Sequence, residues 1–253
     1  MKVKQLTKYN IIDLYKICCP YEEPYLSVIK ESAEHFVNKM NKGWKGFVAY
    51  KDDEVVSRAE IAPIEECLVA IEGEDAYFLY CLWIKKEEES KGYGRKLMEK
   101  IIEVSKNKSG LATITVEGWM PQTFFKHFGF DLVQSKGILN LMLKRFNSKA
   151  KVGFKDIKFV PQMFDGKVNI TVVHSKRCPF MTVSYNKTIA AAKNISDKVI
   201  ITEHLLKKQE DILRYGDENF YVDDEAPFIG PIKIEKLQEI IKGKIKEKFK
   251  NIK

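Results

Sequence analysis

The sequence predicts an α/β protein with a larger N-terminal domain and a smaller C-terminal one. The chain has 253 residues, of which 45% are hydrophobic and 11% aromatic, as is typical of a folded globular protein. Segments with strand-like and helix-like apolar spacing alternate along it, which is the pattern of α/β folds. Residues 147–166 are lysine-rich with weak periodicity, and we interpret them as a linker between domains 1–146 and 167–253.

The N-terminal domain is predicted to begin with a short strand, two helices and a pair of strands. Asn10 can cap the first helix, and Gly43 ends the second. The two strands flank the acidic turn at 52–53. The predicted elements are strand 3–6, helices 11–17 and 25–40, and strands 44–51 and 54–62.

The centre of this domain is predicted to be the strand Ala76–Ile84. Both of its faces are apolar, so it should be buried inside a sheet. A polar run follows, then the turn 92–94 and a helix from Arg95 to Lys106. Pro121 suits the first turn of a later short helix. The remaining elements are strand 111–117, helix 121–127 and strands 130–134 and 138–146.

The C-terminal domain also alternates strands and helices, which indicates a second, smaller α/β unit. A loop at 175–181 joins its first strand to its first helix and contains Cys178. The predicted elements are strands 168–173, 199–202 and 220–222 and helices 182–193, 205–215 and 234–245.

Composition excludes or disfavours several classes of function. The net charge is +8 and the pI about 9.0, but acids are interspersed, and the basic segment 236–253 carries a helical apolar stripe. We interpret that segment as an amphipathic helix in preference to a nucleic-acid surface. No stretch approaches the ~20 apolar residues of a membrane span, and the N-terminus lacks a signal-peptide core, so a cytoplasmic protein is expected.

The cysteines and histidines give no sign of a metal site or a disulfide framework. The five cysteines are odd in number, and the four histidines form no ligand motif. Buried reduced thiols are the simplest interpretation of four of these cysteines. We therefore expect no metal, and the oligomeric state is left open.

The most informative stretch is the turn Gly92-Tyr93-Gly94 between the buried strand and its helix. Two glycines spaced by one residue let backbone amides face one point, and the helix N-terminus adds N–H groups and a positive dipole end. Lys91 and Arg95 add positive charge. The arrangement suits a pyrophosphate, although a merely tight connection is the alternative. A dinucleotide-binding fingerprint is excluded because its third glycine is missing. A Walker A loop is excluded because the sequence Gly-Lys-Ser/Thr is missing.

This strand, turn and helix resemble the acetyl-CoA-binding motif of the GNAT superfamily of N-acetyltransferases, whose pattern is Gln/Arg-x-x-Gly-x-Gly/Ala. Gly92 and Gly94 match the glycines, whereas Glu89 departs from the first position. The segment 124–130 resembles the late helix of that superfamily, which ends in Gly-Phe. The resemblance covers about 1–146. It implies a mixed, mostly antiparallel, splayed sheet with flanking helices, and acetyl transfer from acetyl-CoA to a primary amine.

The resemblance also implies where acetyl-CoA binds. Pantetheine would lie between the central strand and strand 111–117, and a backbone N–H near Leu82 would stabilise the oxyanion of the reacting carbonyl. The cofactor-binding residues implied in this way are Leu82, Trp83, Ile84, Lys91, Gly92, Tyr93, Gly94 and Arg95.

Catalysis requires a neutral amine, whereas an alkyl ammonium has a pKa of about 10.4, so a carboxylate should accept the proton. Glu117, at the end of a strand bordering the cleft, is the first candidate and Glu60 the second. The tyrosine that usually protonates the leaving thiolate in this superfamily aligns with Phe125. Solvent, Tyr80 or Tyr93 would then replace it, or the thiolate would leave unassisted. The acceptor, a small-molecule amine or a peptide, is not identified by the sequence.

The segment from strand 168–174 through Cys178-Pro179-Phe180-Met181 into a helix resembles the start of a thioredoxin-like domain. Met181 replaces the second cysteine of a C-x-x-C motif, which excludes dithiol exchange there. A thiol at a helix N-terminus beside Lys176 and Arg177 would have a lowered pKa, so one-thiol chemistry stays open, but a structural remnant or a substrate-lid domain is favoured. The domain order resembles YoaP-like acetyltransferases. Two alternatives stay open: an acyl-CoA-sensing protein with a one-thiol redox function at Cys178, and a basic nucleic-acid-binding regulator.

Overall fold

The computed structural model describes residues 2–225, 227–228, 230 and 232–249. The chain forms two compact units, the first made of Met1–Cys67 and Ile71–Asp156, the second of Leu68–Ala70 and Ile157–Lys253. The first unit thus extends beyond residue 146. The reason is a strand within the predicted linker, Val152–Phe154, which pairs with Ile71–Gly73.

The first unit has a seven-stranded sheet in the order β1-β2-β3-β5-β6-β8-β7. Only β5 and β6 are parallel neighbours, and the other neighbouring pairs are antiparallel. The predicted mixed, mostly antiparallel sheet with flanking helices is confirmed. The elements are β1 (Lys2–Gln5), α1 (Tyr25–Met40), β2 (Lys45–Lys51), β3 (Glu54–Pro63), β4 (Ile71–Gly73), β5 (Ala76–Ile84), α2 (Tyr93–Ser105), β6 (Gly110–Thr115), α3 (Gln122–Lys126), β7 (Asp131–Lys136), β8 (Leu139–Arg145) and β9 (Val152–Phe154).

The helix predicted at 11–17 is instead a single 3₁₀ segment, Ile11–Leu14. Asn10 makes no side-chain cap to it, because its Oδ1 accepts a hydrogen bond from the Thr7 backbone N–H at 2.8 Å. The polar side chain therefore closes a turn before the segment and does not cap it.

The central strands β5 and β6 separate part-way along their length. They pair from Ala76 opposite Gly110 to Leu79 opposite Thr113. Beyond that point β5 stays paired with β3 as far as Ile84, and β6 stays paired with β8. A register shift beside Glu60 leaves an extra residue on β5, and such a bulge bends and twists a strand. The predicted splay is confirmed.

Helix α2 covers one face of the sheet. Its Leu97, Met98 and Ile101 are fully buried and pack in one cluster with Leu79 and Leu82 of β5. Burial of each such side chain contributes roughly 1.5–3 kcal/mol. This packing fixes the N-terminus of α2 beside the open end of β5.

The second unit contains a three-stranded sheet in the order β11-β10-β12. Strand β10 is parallel to β11 and antiparallel to β12. Its elements are β10 (Val168–His174), α4 (Pro179–Lys193), β11 (Val199–Leu205), α5 (Gln209–Tyr215), β12 (Asn219–Val222) and α6 (Ile234–Phe249).

The predicted helix 205–215 begins later than expected, because β11 continues to Leu205, which pairs with His174. Asp211 then accepts hydrogen bonds from the backbone N–H groups of Lys207 and Lys208, which fixes the start of α5. Helix α6 buries its apolar side against this unit's core, while residues 250–253 of the predicted tail lie outside the described residues. None of the helices in the described ranges is long and apolar enough to cross a bilayer.

Candidate functional site

A cleft of about 670 Å³ lies in the first unit where β5 and β6 separate. It is bounded by the end of β5, the turn before α2, the loop after β6, and α3. Most of its lining side chains are apolar, and four are ionisable. The lining residues are Leu82, Trp83, Ile84, Glu88, Glu89, Ser90, Gly92, Gly94, Arg95, Gly118, Trp119, Met120, Pro121, Phe124, Phe125, His127 and Phe128.

The end of β5 forms one wall of this cleft. Leu82 is buried at 7% exposure, whereas Trp83 is 40% exposed. Among the described residues, β5 has no pairing with β6 beyond Leu79. Its backbone groups from there to Ile84 are therefore open on one edge, and an extended ligand can pair with such an edge as an added strand does.

The turn before α2 contains two glycines, and each position requires glycine for a different physical reason. Gly92 has φ +85°, a left-handed conformation that side chains disfavour, and a Cβ there would meet nothing within 4 Å. Gly94 is limited by space: its Cβ would lie 3.2 Å from Ile84 Cδ1 and 3.6 Å from Phe124. A larger residue at 94 would therefore fill the cleft.

The N-terminus of α2 has the features of an anion site. No side chain caps it, so the first-turn N–H groups that every helix leaves without an internal partner are not satisfied by a cap. The aligned peptide dipoles add positive potential at this end. Arg95 in the first turn lines the cleft and supplies a full positive charge.

Two of the predicted cofactor-binding side chains lie outside the cleft lining. Tyr93 is buried in a cluster with Ala49 and Val56. Lys91 is exposed, and its Nζ lies 3.3 Å from Glu88 Oε2.

Glu88 is held ionised by lysines on both sides of the turn. Its Oε1 accepts a hydrogen bond from Lys51 Nζ at 2.8 Å, and its Oε2 faces Lys91. The hydrogen bond from Lys51, supported by Lys91, lowers the pKa of the Glu88 carboxyl. The negative charge of Glu88 at the edge of the cleft is therefore balanced.

None of the three predicted catalytic residues lines the cleft. Glu117 is exposed in the turn after β6, directly before lining residues 118–121. Glu60 is fully buried, and its Oε2 accepts a hydrogen bond from Arg58 Nη2 at 2.5 Å. Tyr80 is buried, with its ring 5.2 Å from that of Trp44. Glu60 lies on β3 and Tyr80 on β5. Both side chains are buried and neither lines the cleft.

Three ionisable residues of the lining were not predicted as site residues: Glu88, described above, His127 and Glu89. His127 follows α3 and lines the cleft, and the only sequence signal for it is its place in the segment 124–130. Glu89, which departs from the family pattern, also lines the cleft. The local sequence offers no reason for an acid at that point, and an exposed carboxylate there narrows the region that an anionic ligand can occupy.

Residues 9–130 match the model of the family described as "Acetyltransferase (GNAT) family". This segment contains β5, the glycine turn, α2, β6 and α3, and hence the whole lining of the cleft. This segment is thus similar to the GNAT acetyltransferases. The chain is an acyltransferase, and acetyl-CoA is its co-substrate. The match spans just under half of the chain and does not reach the second unit's C-terminal segment.

Similarity to a known relative extends beyond residues 9–130. The "Uncharacterized N-acetyltransferase YoaP" of Bacillus subtilis (strain 168) is 24% identical over 186 residues, covering 70% of this chain and 72% of that protein. That share of the chain is larger than the first unit alone, so the similarity includes part of the second unit.

Solved structures that resemble the chain include two acetyltransferases. The PaiA N-acetyltransferase from Thermoplasma acidophilum in complex with coenzyme A is 20% identical, covering 57% of this chain and 99% of that one, with a TM-score of 0.42. The ribosomal-protein-S18-alanine N-acetyltransferase from Escherichia coli is 11% identical, covering 62% and 99%, with a TM-score of 0.43.

The comparisons give no support to a one-thiol redox function at Cys178 or to nucleic-acid binding. Within the described ranges, no group of three or more His, Cys, Asp or Glu side chains is arranged to hold a metal ion.

Proposed function

We propose that the protein is an N-acetyltransferase that transfers the acetyl group of acetyl-CoA to a primary amine of a small molecule or a peptide. The observation that carries the proposal is the gap between β5 and β6, which opens beside the uncapped N-terminus of α2. An unpaired strand edge and a helix N-terminus offer one extended site and one anion site. These are the two requirements of a pantetheine arm joined to a pyrophosphate.

The pantetheine arm is proposed to lie along Leu82, Trp83 and Ile84, where β5 has an open edge. The pyrophosphate then meets the first turn of α2 at Gly92 and Gly94, with the Arg95 guanidinium beside it. Backbone amides at a helix N-terminus bind phosphate without any special side chain.

Lys91 and Tyr93 have subordinate parts in this proposal. The Tyr93 side chain packs inward, so only its backbone N–H, in the first turn of α2, is available to the pyrophosphate. Lys91 is exposed and paired with Glu88, so its contribution is a screened charge at the rim of the cleft.

In the reaction, the amine nitrogen attacks the thioester carbonyl carbon, a C–N bond forms, and the C–S bond breaks as the CoA thiolate leaves. A backbone N–H near Leu82 stabilises the negative charge on the carbonyl oxygen. The proton lost by the amine passes to a carboxylate, directly or through water. Phe125 in the cleft carries no proton, so the thiolate takes its proton from solvent.

Of the two predicted bases, Glu117 is favoured over Glu60, and Tyr80, predicted as an acid, is not favoured either. Glu117 is exposed in the loop that continues as lining residues 118–121, so it can exchange protons with water. Glu60 is fully buried against Arg58, and Tyr80 is enclosed by aromatic rings.

The second unit is proposed to be thioredoxin-like, which the parallel pair β10–β11, the antiparallel β12 and the position of Cys178 before α4 support. A cytoplasmic location, expected from the sequence, stays a prediction.

Two measurements test the acetyltransferase function. Acetyl-CoA should raise the melting temperature of the protein, and above Kd the stabilisation should grow with the logarithm of its concentration. A panel of amines should include acceptors that release free CoA. A protein that shows neither thermal stabilisation nor acetyl-CoA binding by calorimetry would not be an acetyltransferase.

Glu117→Gln tests the base once an acceptor is found. The substitution keeps the size of the side chain but cannot accept the proton, so kcat near neutral pH should fall by roughly tenfold or more with unchanged acetyl-CoA affinity. Glu99→Gln, an exposed acid on α2, is the matched control. An unaltered pH–rate profile in Glu117→Gln would move the base elsewhere.

A further inference from the structure

A polar cluster is buried on the sheet face opposite α2. Arg58 and Glu60 of β3 alternate with residues that pack on α2, and residues two apart on a strand share a face. Cys81 of β5 is the register partner of Glu60. Cys18 and Cys19 reach the same place from the chain after the 3₁₀ segment. We call these five residues the Cys18 cluster.

The guanidinium of Arg58 holds the Cys18 cluster together. Its Nη1 donates a hydrogen bond to Cys18 Sγ at 3.3 Å, and its Nη2 bonds Glu60. Arg58 is 3% exposed, so its charge acts in a medium that screens far less than water. The Cζ atom of Arg58 lies 5.3 Å from the centroid of the Tyr15 ring, in a cation–π arrangement.

These surroundings favour the thiolate of Cys18. A hydrogen bond from the Cys19 thiol, together with the charge and hydrogen bond of Arg58, lowers the pKa of Cys18 to about 6, against the opposing effects of burial and Glu60. At neutral pH the sulfur is therefore anionic, and the thiolate is the nucleophilic form of cysteine.

A donor beside the sulfur is Arg58 Nη1, which hydrogen-bonds Cys18 Sγ. Cys18 itself is partly exposed, so a small oxidant can reach it.

We propose that Cys18 is a redox-modification site that reacts with a hydroperoxide and then forms a disulfide with Cys19. In the first step the sulfur attacks one peroxide oxygen, an S–O bond forms, the O–O bond breaks, and the departing hydroxide or alkoxide takes up a proton. The sulfur is oxidised by two electrons to a sulfenic acid, and the peroxide is reduced.

In the second step the Cys19 sulfur attacks the sulfenic sulfur, an S–S bond forms, and the S–O bond breaks. The hydroxide leaves as water with the proton of the Cys19 thiol. Cys19 is the partner because its thiol already hydrogen-bonds Cys18. Adjacent Cα atoms lie about 3.8 Å apart, closer than the usual ~4.4–6.8 Å of disulfides, so the bond is strained and easily reduced.

Peptide mass spectrometry of the full chain after brief treatment with hydrogen peroxide tests this proposal. The peptide containing Cys18 and Cys19 should lose two hydrogen atoms and regain them with dithiothreitol. In Cys19→Ser the sulfenic acid should persist and be labelled by dimedone at Cys18. Cys67, which is fully buried, is the internal control, and Cys18 should react at least roughly tenfold faster.

A second measurement needs no variant at Cys18. Alkylation of wild-type Cys18 by iodoacetamide should rise with pH around a midpoint near 6, whereas a midpoint near the ordinary ~8.5 would overturn the proposal. It is equally overturned if peroxide leaves the Cys18 peptide unchanged. Acetyl-CoA binding is a separate readout, since Cys18 does not line the cleft.

Discussion

Two segments of this chain follow the same local plan, a buried strand that runs through a short loop into a helix N-terminus. In the first unit, β5 leads through Gly92 into α2. In the second, β10 leads through Cys178 into α4. Neither helix has a side-chain cap, and the first opens into the cleft. In the second, Glu218 fills the loop and accepts hydrogen bonds from both the backbone N–H, at 2.8 Å, and the hydroxyl of Ser175.

The difference lies in the loop before each helix: the loop before α2 lines the cleft, whereas a carboxylate occupies the loop before α4. Side chains at the start of α4 bond within the same unit: the Thr182 hydroxyl donates to the carbonyls of Ser175 and Cys178, and Arg177 lies 4.0 Å from Glu218. The carboxylate that fills this loop lies 43 residues beyond Ser175. Local sequence therefore identifies where both helices begin. It does not show which of the two preceding loops lines a cleft and which is occupied by a carboxylate.

The largest effect should come from placing a bulky side chain at the N-terminus of α2. Gly94→Leu places a side chain against Ile84 and Phe124, so acetyl-CoA affinity should fall about 100-fold, or ~2.7 kcal/mol, when measured by calorimetry. Gly243→Leu in α6 is the control, because a Cβ there meets nothing within 4 Å. Wild-type affinity in Gly94→Leu would show that the ligand does not use this turn.

An intermediate effect is expected from removing the carboxylate that occupies the loop before α4. Glu218→Ala leaves the buried Ser175 N–H and hydroxyl without their acceptor, which should cost the second unit about 1–3 kcal/mol of unfolding free energy. Hydrogen exchange of β10 under mild denaturant measures this loss, and Glu210→Ala, with a 70% exposed side chain, is the control. If Glu218→Ala also weakened acetyl-CoA binding, the assignment of ligand binding to the turn before α2 and of stability to the loop before α4 would be contradicted.

The smallest effect should be the pH response of the second unit. Burial lowers the pKa of His174, which ends β10, although Glu203 and Glu218 oppose the shift. The unfolded chain, with an ordinary pKa of about 6.5, then binds more protons, so stability should fall as pH drops below ~6.5, by less than about 1.4 kcal/mol per pH unit.

Melting curves between pH 8 and 5 would measure this response. His174→Gln removes the titrating group and should flatten the dependence. His204→Gln is the comparison variant, because burial also lowers the pKa of His204 on the neighbouring strand. A wild-type slope that persists in both variants would assign the pH dependence to other groups.

The sequence by itself determined the order of elements in the first unit, the central position of β5 and the glycine turn. These depend on local causes: an apolar run marks a buried strand, and Gly92 has the positive φ that glycine adopts most readily. The helix expected at 11–17 was wrong, because only Ile11–Leu14 form a short 3₁₀ segment.

Only the tertiary structure decided which polar groups meet. Glu60 and Tyr80 were plausible catalytic residues by position, yet packing buried both. It also brought Arg58 to Cys18, 40 residues earlier, and Glu218 to Ser175. Such pairings depend on how distant segments fold against one another, and hydrophobic periodicity does not encode the side-chain contacts that result.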